Sequence, residues 1–144
     1  MATSFQVTFD AHDPRGLGTF WADVLGYVDQ PPPDGFEDWD AFLDAQGVPP
    51  GERDRAWAVV DPEGVGPRLF FQRVPEGKTA KNRVHLDVSC SGGRQVPPAE
   101  RRERVDARAA ELVARGARAI GPREGMGDYW VVMQDPEGNE FCLQ

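Results

Sequence analysis

The sequence predicts an α+β fold made of two copies of a βαβββ module, and two internal repeats support that prediction. The strand-like segment QVTFDA at residues 6–11 matches RVHLDV at residues 83–88. The turn sequence DPEG at residues 61–64 recurs at residues 135–138. Repeats of this kind indicate one supersecondary unit used twice, because a single copy cannot bury its apolar face alone.

The first module contains one strongly marked helix. Residues 4–10 alternate as a strand, after which Asp13 supplies an N-cap and Pro14 occupies the first helical position. Gly26 ends the helix. Apolar side chains recur between these ends at helical spacing, and we expect them to be buried against the strands: Leu17, Phe20, Trp21, Val24 and Leu25.

Residues 31–55 form an insertion that has no counterpart in the second module. They follow a short strand expected at 27–30, and three consecutive prolines stop any regular element. One short helix is expected at about 39–46. Phe36 and Trp39 either form a lid over a cavity or simply anchor the insertion.

The second module repeats the order of the elements. Its helix is expected to start near Pro98 and end at Gly116, with a buried side made of Val105, Ala109, Leu112 and Val113. The other strands are expected at 56–60 and 68–74 in the first module and at 117–120, 129–134 and 140–144 in the second. The modules themselves are expected at about 1–76 and 82–144 of a single domain of 144 residues.

Composition excludes several classes of partner. A net charge of −8 and a pI near 4.7 argue against nucleic acid, whose phosphates need clustered Lys and Arg. No stretch approaches the length of a membrane span and no signal segment precedes the first strand, so we expect a cytoplasmic protein without a membrane partner. Cys90 and Cys142 are expected to be free thiols.

Strand alternation separates two faces. The apolar face is expected to pack under the helices and comprises Val7, Phe9, Ala11, Leu69, Phe71, Val84, Leu86, Val88, Phe141 and Leu143. The opposite, polar face comprises Gln6, Thr8, Asp10, Arg68, Phe70, Gln72, Arg83, His85, Asp87, Glu140, Cys142 and Gln144. A polar face lines a ligand-sized cavity when the sheets curl, and alternation alone leaves the curl open.

The repeated pattern resembles the vicinal oxygen chelate superfamily, specifically its glyoxalase-like branch. The resemblance rests on the duplicated module, the Asp13-Pro14 helix start, the pairs Phe20-Trp21 and Leu25-Gly26-Tyr27, the two DPEG turns, and the segments 68–78 and 82–87. It implies a curled mixed sheet with a central cavity. It also implies that enzymes of this type hold a divalent metal on four side chains, which activates the oxygens of the substrate.

The four metal positions of the superfamily fall on Gln6, Phe70, Arg83 and Cys142, and this set fails. Phe70 cannot bind a metal, Arg83 is a permanent cation, and a lone Cys142 suits a soft ion. A shifted register is the one rescue: if their strands ran antiparallel, His85 and Glu140 would meet and join Gln6. We expect no cofactor, with a divalent metal on those three residues as the alternative.

Three functions are compatible with these residues. The first is a bleomycin-resistance-like protein that binds an anionic or polar small molecule without metal chemistry, through a cavity lined by Thr8, Arg68, Phe70, Arg83, His85, Glu140 and Cys142. The second is a metal-dependent lyase, isomerase or dioxygenase of the glyoxalase type. The third is a metal-free enzyme in which His85 is the general base, oriented by Asp87 or Glu140. A homodimer is expected as the assembly.

The polar side chains each carry a structural alternative. His85 is either a hydrogen-bonded structural residue or a functional one. Asp10 and Asp87 occupy matching positions and are expected to tie down loop amides. Arg68 would be costly if buried alone, so it either pairs with Glu140 or awaits an anionic group of a ligand.

Overall fold

The computed structural model describes all 144 residues, Met1–Gln144, and the chain divides into two compact units. Unit 1 is Met1–Gly77 and unit 2 is Lys78–Gln144. Each unit contains one mixed, open four-stranded sheet with a long helix packed on one face, so the fold is α+β as predicted. None of the helices combines the length and the hydropathy that crossing a bilayer requires.

Unit 1 places its first and last strands side by side in parallel. Its elements are β1 (Val7–Ala11), α1 (Pro14–Leu25), β2 (Val28–Asp29), α2 (Trp39–Ala45), a 3-10 helix (Pro50–Arg55), β3 (Ala56–Val60) and β4 (Leu69–Arg73). The sheet order is β1-β4-β3-β2, with β1 parallel to β4 and the other pairs antiparallel. The helix predicted in the insertion is confirmed as α2, whereas the 3-10 helix was not predicted.

Helix α1 forms as its sequence predicts. The Asp13 side chain accepts a hydrogen bond from the Gly16 N–H, and Gly26 closes the helix with a left-handed φ of 70°. The predicted buried stripe is confirmed except for Leu25, which is half-buried at the last turn. Trp21 packs against Phe9, with ring centroids 5.2 Å apart.

Unit 2 has the same order of strands. Its elements are β5 (Asp87–Val88), α3 (Pro98–Ala114), β6 (Arg118–Gly125), β7 (Asp128–Gln134) and β8 (Glu140–Leu143). The sheet order is β5-β8-β7-β6, with β5 parallel to β8. Val105, Ala109 and Leu112 are buried as predicted, but Val113 is 46% exposed because it lies beyond the edge of the buried stripe.

Two strands of unit 2 differ in length from the prediction. The strand expected at 83–88 pairs only at Asp87 and Val88, and Val84 is 82% exposed, so the predicted apolar face stops short there. Strand β6 instead extends to Gly125 and turns into β7 through Met126 and Gly127, both with positive φ. Pro122 is tolerated inside β6 because β6 is an edge strand.

The repeated DPEG turns share one mechanism. The Asp61 carboxylate accepts hydrogen bonds from the N–H groups of Glu63, Val65 and Gly66. Asp135, which is 3% exposed, accepts bonds from Glu137 and Asn139 in unit 2. A short carboxylate that satisfies the backbone amides of its own turn accounts for the aspartate at the start of both motifs.

Candidate functional site

Arg68 lies at the centre of a hydrogen-bonded cluster on the polar face of the unit 1 sheet. Its Nε donates to Gln30 Oε1 at 2.5 Å, and its Nη1 donates to Gln6 Oε1 at 2.8 Å. The guanidinium carbon lies 5.0 Å from the ring centroid of Phe70. Gln6 in turn donates from Nε2 to Thr8 Oγ1 at 3.2 Å, which directs its carbonyl towards the arginine. The guanidinium is therefore held in one place by neutral partners.

Gln30 joins this cluster to the insertion. Its backbone N–H donates to the Ala58 carbonyl, and its own carbonyl accepts a 2.7 Å hydrogen bond from Trp39 Nε1. Backbone and side chain of one residue thus contact β3, the insertion and Arg68. Trp39 accordingly anchors the insertion, and Phe36 packs on Phe42 within it, with centroids 5.1 Å apart.

A cavity of about 210 Å³ lies between the polar face of this sheet and the insertion. Its floor includes Ala58 and Phe70, which are cross-strand partners, and the small alanine leaves room above it. Trp39 also lines the cavity, so it is both an anchor and a wall. The full lining comprises Gln30, Trp39, Leu43, Val48, Glu52, Arg53, Arg55, Ala56, Trp57, Ala58, Arg68 and Phe70. We call this the unit 1 pocket.

Charges around the unit 1 pocket are paired except at Arg68. Arg53 forms ion pairs with Asp40 and Asp44 of the insertion, and Arg55 pairs with Glu52. Arg68 hydrogen-bonds only to amide carbonyls, which leaves its positive charge without a carboxylate partner. Two of its five N–H groups are engaged, so three remain free to donate.

The predicted site residues of unit 1 separate into two roles. Arg68 and Phe70 line the unit 1 pocket. Gln6 and Thr8 are exposed and lie outside the lining; Gln6 accepts a hydrogen bond from Arg68, and Thr8 accepts one from Gln6. Asp10 differs from the expectation, since its carboxylate accepts a hydrogen bond from the Gln72 side chain rather than from a loop amide.

In unit 2 a second polar cluster forms where β5 pairs with β8. His85 Nε2 lies 3.2 Å from Asp87 Oδ1, and Asp87 is the cross-strand partner of Cys142. The donor atoms of these three side chains all lie within 4.8 Å of one another. Asp87 was expected to accept hydrogen bonds from loop amides, but its carboxylate instead contacts His85 and Cys142. Arg83 is exposed at the start of the same segment.

The Cys142 thiol is held in its protonated form. Burial is the largest cause that raises the pKa of this thiol. The negative charge of Asp87 raises it further, as does the hydrogen bond that the thiol donates to that carboxylate. A thiol with a raised pKa is a poor nucleophile at neutral pH, because that role needs the thiolate. Cys142 therefore acts as a hydrogen-bond donor in this cluster.

Glu140 forms a separate interaction. Its carboxylate lies 3.1 Å from Lys78 Nζ and accepts a 3.0 Å hydrogen bond from the Asn82 N–H. Burial alone would raise the pKa of Glu140, but these hydrogen bonds outweigh it and lower the pKa to about 2. The shifted register assumed antiparallel strands, and that assumption is wrong, since β5 and β8 run parallel and pair only at Asp87 and Val88. The structure pairs Glu140 with Lys78, and its carboxylate lies outside the group formed by His85, Asp87 and Cys142.

These residues do not supply the metal set of the superfamily. The Gln6 carbonyl already faces the Arg68 guanidinium, a cation that repels a metal ion, and Phe70 offers no donor atom. In unit 2 the cluster of His85, Asp87 and Cys142 offers one nitrogen, one oxygen and one sulfur donor, whereas hard divalent ions prefer oxygen ligands. The residues present therefore do not fit the hard divalent ion that enzymes of the superfamily use.

Several contributors to the unit 1 pocket could not be predicted from the sequence. Gln30 carried no signal beyond being a polar residue just before three prolines, and its role appears only when the sheet brings it beside Ala58. Val48 and Leu43 reach the unit 1 pocket because the insertion folds back over the sheet, which periodicity could not predict.

Comparison with known proteins agrees with the fold. The glyoxalase-like domain model matches residues 6–144. A glyoxalase/bleomycin resistance protein/dioxygenase family enzyme from Burkholderia phytofirmans PsJN is 18% identical, with a TM-score of 0.59 over 96% of this chain and 94% of that chain. The fosfomycin resistance protein FosX of Listeria monocytogenes, solved with Mn(II) and a dihydroxypropylphosphonic acid, is 11% identical, with a TM-score of 0.62 over 100% of this chain and 90% of that chain.

Comparison with curated proteins finds no significant match. The solved structures show the fold alone, because their sequence identities are low. The family model, by contrast, covers nearly the whole chain and both repeats. The chain belongs to the glyoxalase-like domain family of the vicinal oxygen chelate superfamily.

Proposed function

We propose that the protein binds a small anionic molecule in the unit 1 pocket through Arg68, without using a metal. The observation that carries this proposal is that Arg68 is the one guanidinium lining the pocket that has no carboxylate partner. A half-buried cation with three free N–H groups is a receptor for an anionic oxygen. Neutral amide partners orient Arg68 without neutralising its charge.

The net charge of −8 does not oppose this proposal. Charges separated by more than about 8 Å are largely screened at physiological ionic strength, so a ligand in the pocket interacts mainly with its immediate neighbours. Hydrogen bonds between charged groups contribute about 1.5–3 kcal/mol each, and the partial burial of the pocket favours the upper part of that range.

Ligand-observed NMR with a panel of small organic acids and their neutral amides tests the proposal. We expect acids to bind and the matching amides not to bind. Arg68→Gln should abolish binding, whereas Arg104→Gln should not change it, because Arg104 lies on α3 and pairs with Glu100. Thermal melting of each variant checks that it is folded. Equal binding of acids and amides, or acid binding that persists in Arg68→Gln, would contradict the proposal.

A second candidate function rests on the contact between His85 and Asp87. A carboxylate 3.2 Å from an imidazole nitrogen orients the ring, as a positioned general base requires. This candidate is a metal-free enzyme that removes a proton from its substrate. If it is correct, a bound acid will exchange an acidic C–H with solvent deuterium, and His85→Gln will stop the exchange. Unchanged exchange in that variant would exclude His85 as the base.

The expected homodimer stays a prediction, and sedimentation analysis tests it directly.

A further inference from the structure

We propose, building on the binding of an anion by Arg68, that the ligand is a monocarboxylate whose compact apolar body packs against the insertion. The insertion would then determine which acid is accepted, a role that the repeated modules do not share. The charge, the head group and the size of the ligand are each indicated by a different part of the unit 1 pocket.

The charge of the ligand follows from the pairing of the pocket residues. Arg53 has two carboxylate partners and Arg55 has one, so Arg68 is the guanidinium of the pocket without a carboxylate contact, while the three cations and three carboxylates together carry no net charge. Direct contact with Arg68 can balance one negative charge on a ligand. A dianion such as phosphate would bring a second charge into a partly buried site that has no partner for it, and such a charge is costly.

The head group follows from how Arg68 is held. Its Nε donates to Gln30, its Nη1 donates to Gln6, and its guanidinium carbon lies over the Phe70 ring, 5.0 Å from the centroid, so these three contacts restrict its movement. The three remaining N–H groups come from the two Nη atoms. A planar guanidinium fixed in this way matches a planar carboxylate with two oxygens.

The apolar body follows from the walls of the pocket. The insertion contributes Trp39, Leu43 and Val48, and the sheet contributes Ala58 and Phe70. The cavity of about 210 Å³ is smaller than the sites of about 300–1,000 Å³ that hold drug-sized molecules, so it suits a body about the size of one ring.

The anion site and the apolar wall are fixed relative to each other. The side chain of Gln30 holds Arg68 at 2.5 Å, and the carbonyl of the same residue holds Trp39 Nε1 at 2.7 Å. A shift of the insertion would therefore disturb the arginine, and a shift of the arginine would disturb the wall. This shared residue favours ligands that fill both parts at once.

Calorimetric and NMR titrations with benzoate, acetate, benzamide and inorganic phosphate test the inference. We expect benzoate to bind about tenfold or more tightly than acetate, because its ring is removed from water by the apolar walls. Benzamide and phosphate should not bind measurably. Arg68→Gln should abolish the binding of both acids.

Variants of the apolar wall separate this inference from the proposed function. Ala58→Leu fills the space above the floor and should weaken the binding of benzoate about tenfold more than that of acetate. Ala119→Leu, at an exposed strand position in unit 2, is the matched control and should change neither acid. Leu43→Asn should also weaken the binding of benzoate. The chain should stay folded, because Leu43 lies on α2, which has no fully buried residue.

Two kinds of negative result distinguish the monocarboxylate inference from the proposed anion binding. If acetate and phosphate bind through Arg68 as tightly as benzoate, the inference is overturned and the proposed function survives. The same conclusion follows if Leu43→Asn and Ala58→Leu bind benzoate like the parent. If no acid binds in an Arg68-dependent manner, both the inference and the proposed function are wrong.

Discussion

Replacing Arg53 with methionine should loosen the insertion while leaving the two sheets intact. The Arg53 guanidinium donates to the Val48 carbonyl from Nε at 3.2 Å and from Nη2 at 3.0 Å. It also pairs with Asp40 at 3.2 Å and with Asp44. Methionine keeps most of the apolar length of the side chain, so the variant removes these polar contacts and little packing.

The expected cost is about 2–3 kcal/mol, and most of it comes from one carbonyl. Asp40 and Asp44 are largely exposed, so they regain water and their ion pairs contribute no more than about 1 kcal/mol each. The part-buried Val48 carbonyl loses both of its arginine donors, which costs about 1–3 kcal/mol. Neither α2 nor the 3-10 helix contains a fully buried residue, so little else opposes opening of the insertion.

Native-state hydrogen exchange measures this loss directly. The amides of Gln46 and Val48, which bond to Phe42 and Leu43, should exchange roughly 30- to 150-fold faster in the variant if opening is the limiting equilibrium. Core amides of unit 1 should be unaffected. Arg104→Met, which breaks an ion pair on α3, is the control and should leave the insertion unchanged. If Gln46 and Val48 exchange in Arg53→Met as they do in the parent, the contacts of Arg53 do not hold the insertion closed.

Three further predictions concern the core, acid stability and metals. Trp21→Ala should lower the free energy of unfolding by about 3–5 kcal/mol in urea titrations, because Trp21 is 1% exposed, whereas half-buried Leu25→Ala should cost less; equal costs would contradict the packing. Since the pKa of Glu140 is lowered to about 2, its contribution is complete above about pH 4.5 and is lost as the pH falls towards 2. Glu140→Gln should therefore lose on the order of 2 kcal/mol less stability between about pH 5 and pH 3 than the parent, and parallel stability curves would contradict this. Calorimetric titration with nickel, zinc, manganese and iron(II) should show no tight stoichiometric binding. Tight binding of one ion per chain that is lost in His85→Ala or Glu140→Ala would instead favour the metal-dependent enzyme.

Much of the fold could be predicted because it depends on local signals. Asp13, Pro14 and Gly26 define the ends of α1 through capping chemistry that acts within one helical turn. The repeated DPEG turns depend on one aspartate bonding to amides a few residues away. The prediction failed where pairing decided the outcome: Val84 alternates like a strand residue but has no sheet partner and is exposed.

Residue patterns are enough to predict the duplicated α+β architecture, the main helices and the buried face of α1, because periodicity and capping are properties of neighbouring residues. The contacts of Arg68 with Gln6 and Gln30, rather than with an acid, depend on the folded chain, since these residues are far apart along the sequence. The same holds for the register of β5 on β8, which sets Asp87 beside Cys142, and for the ion pair between Glu140 and Lys78. The chemistry of the candidate site therefore depends on register and on long-range contacts, which residue patterns do not contain.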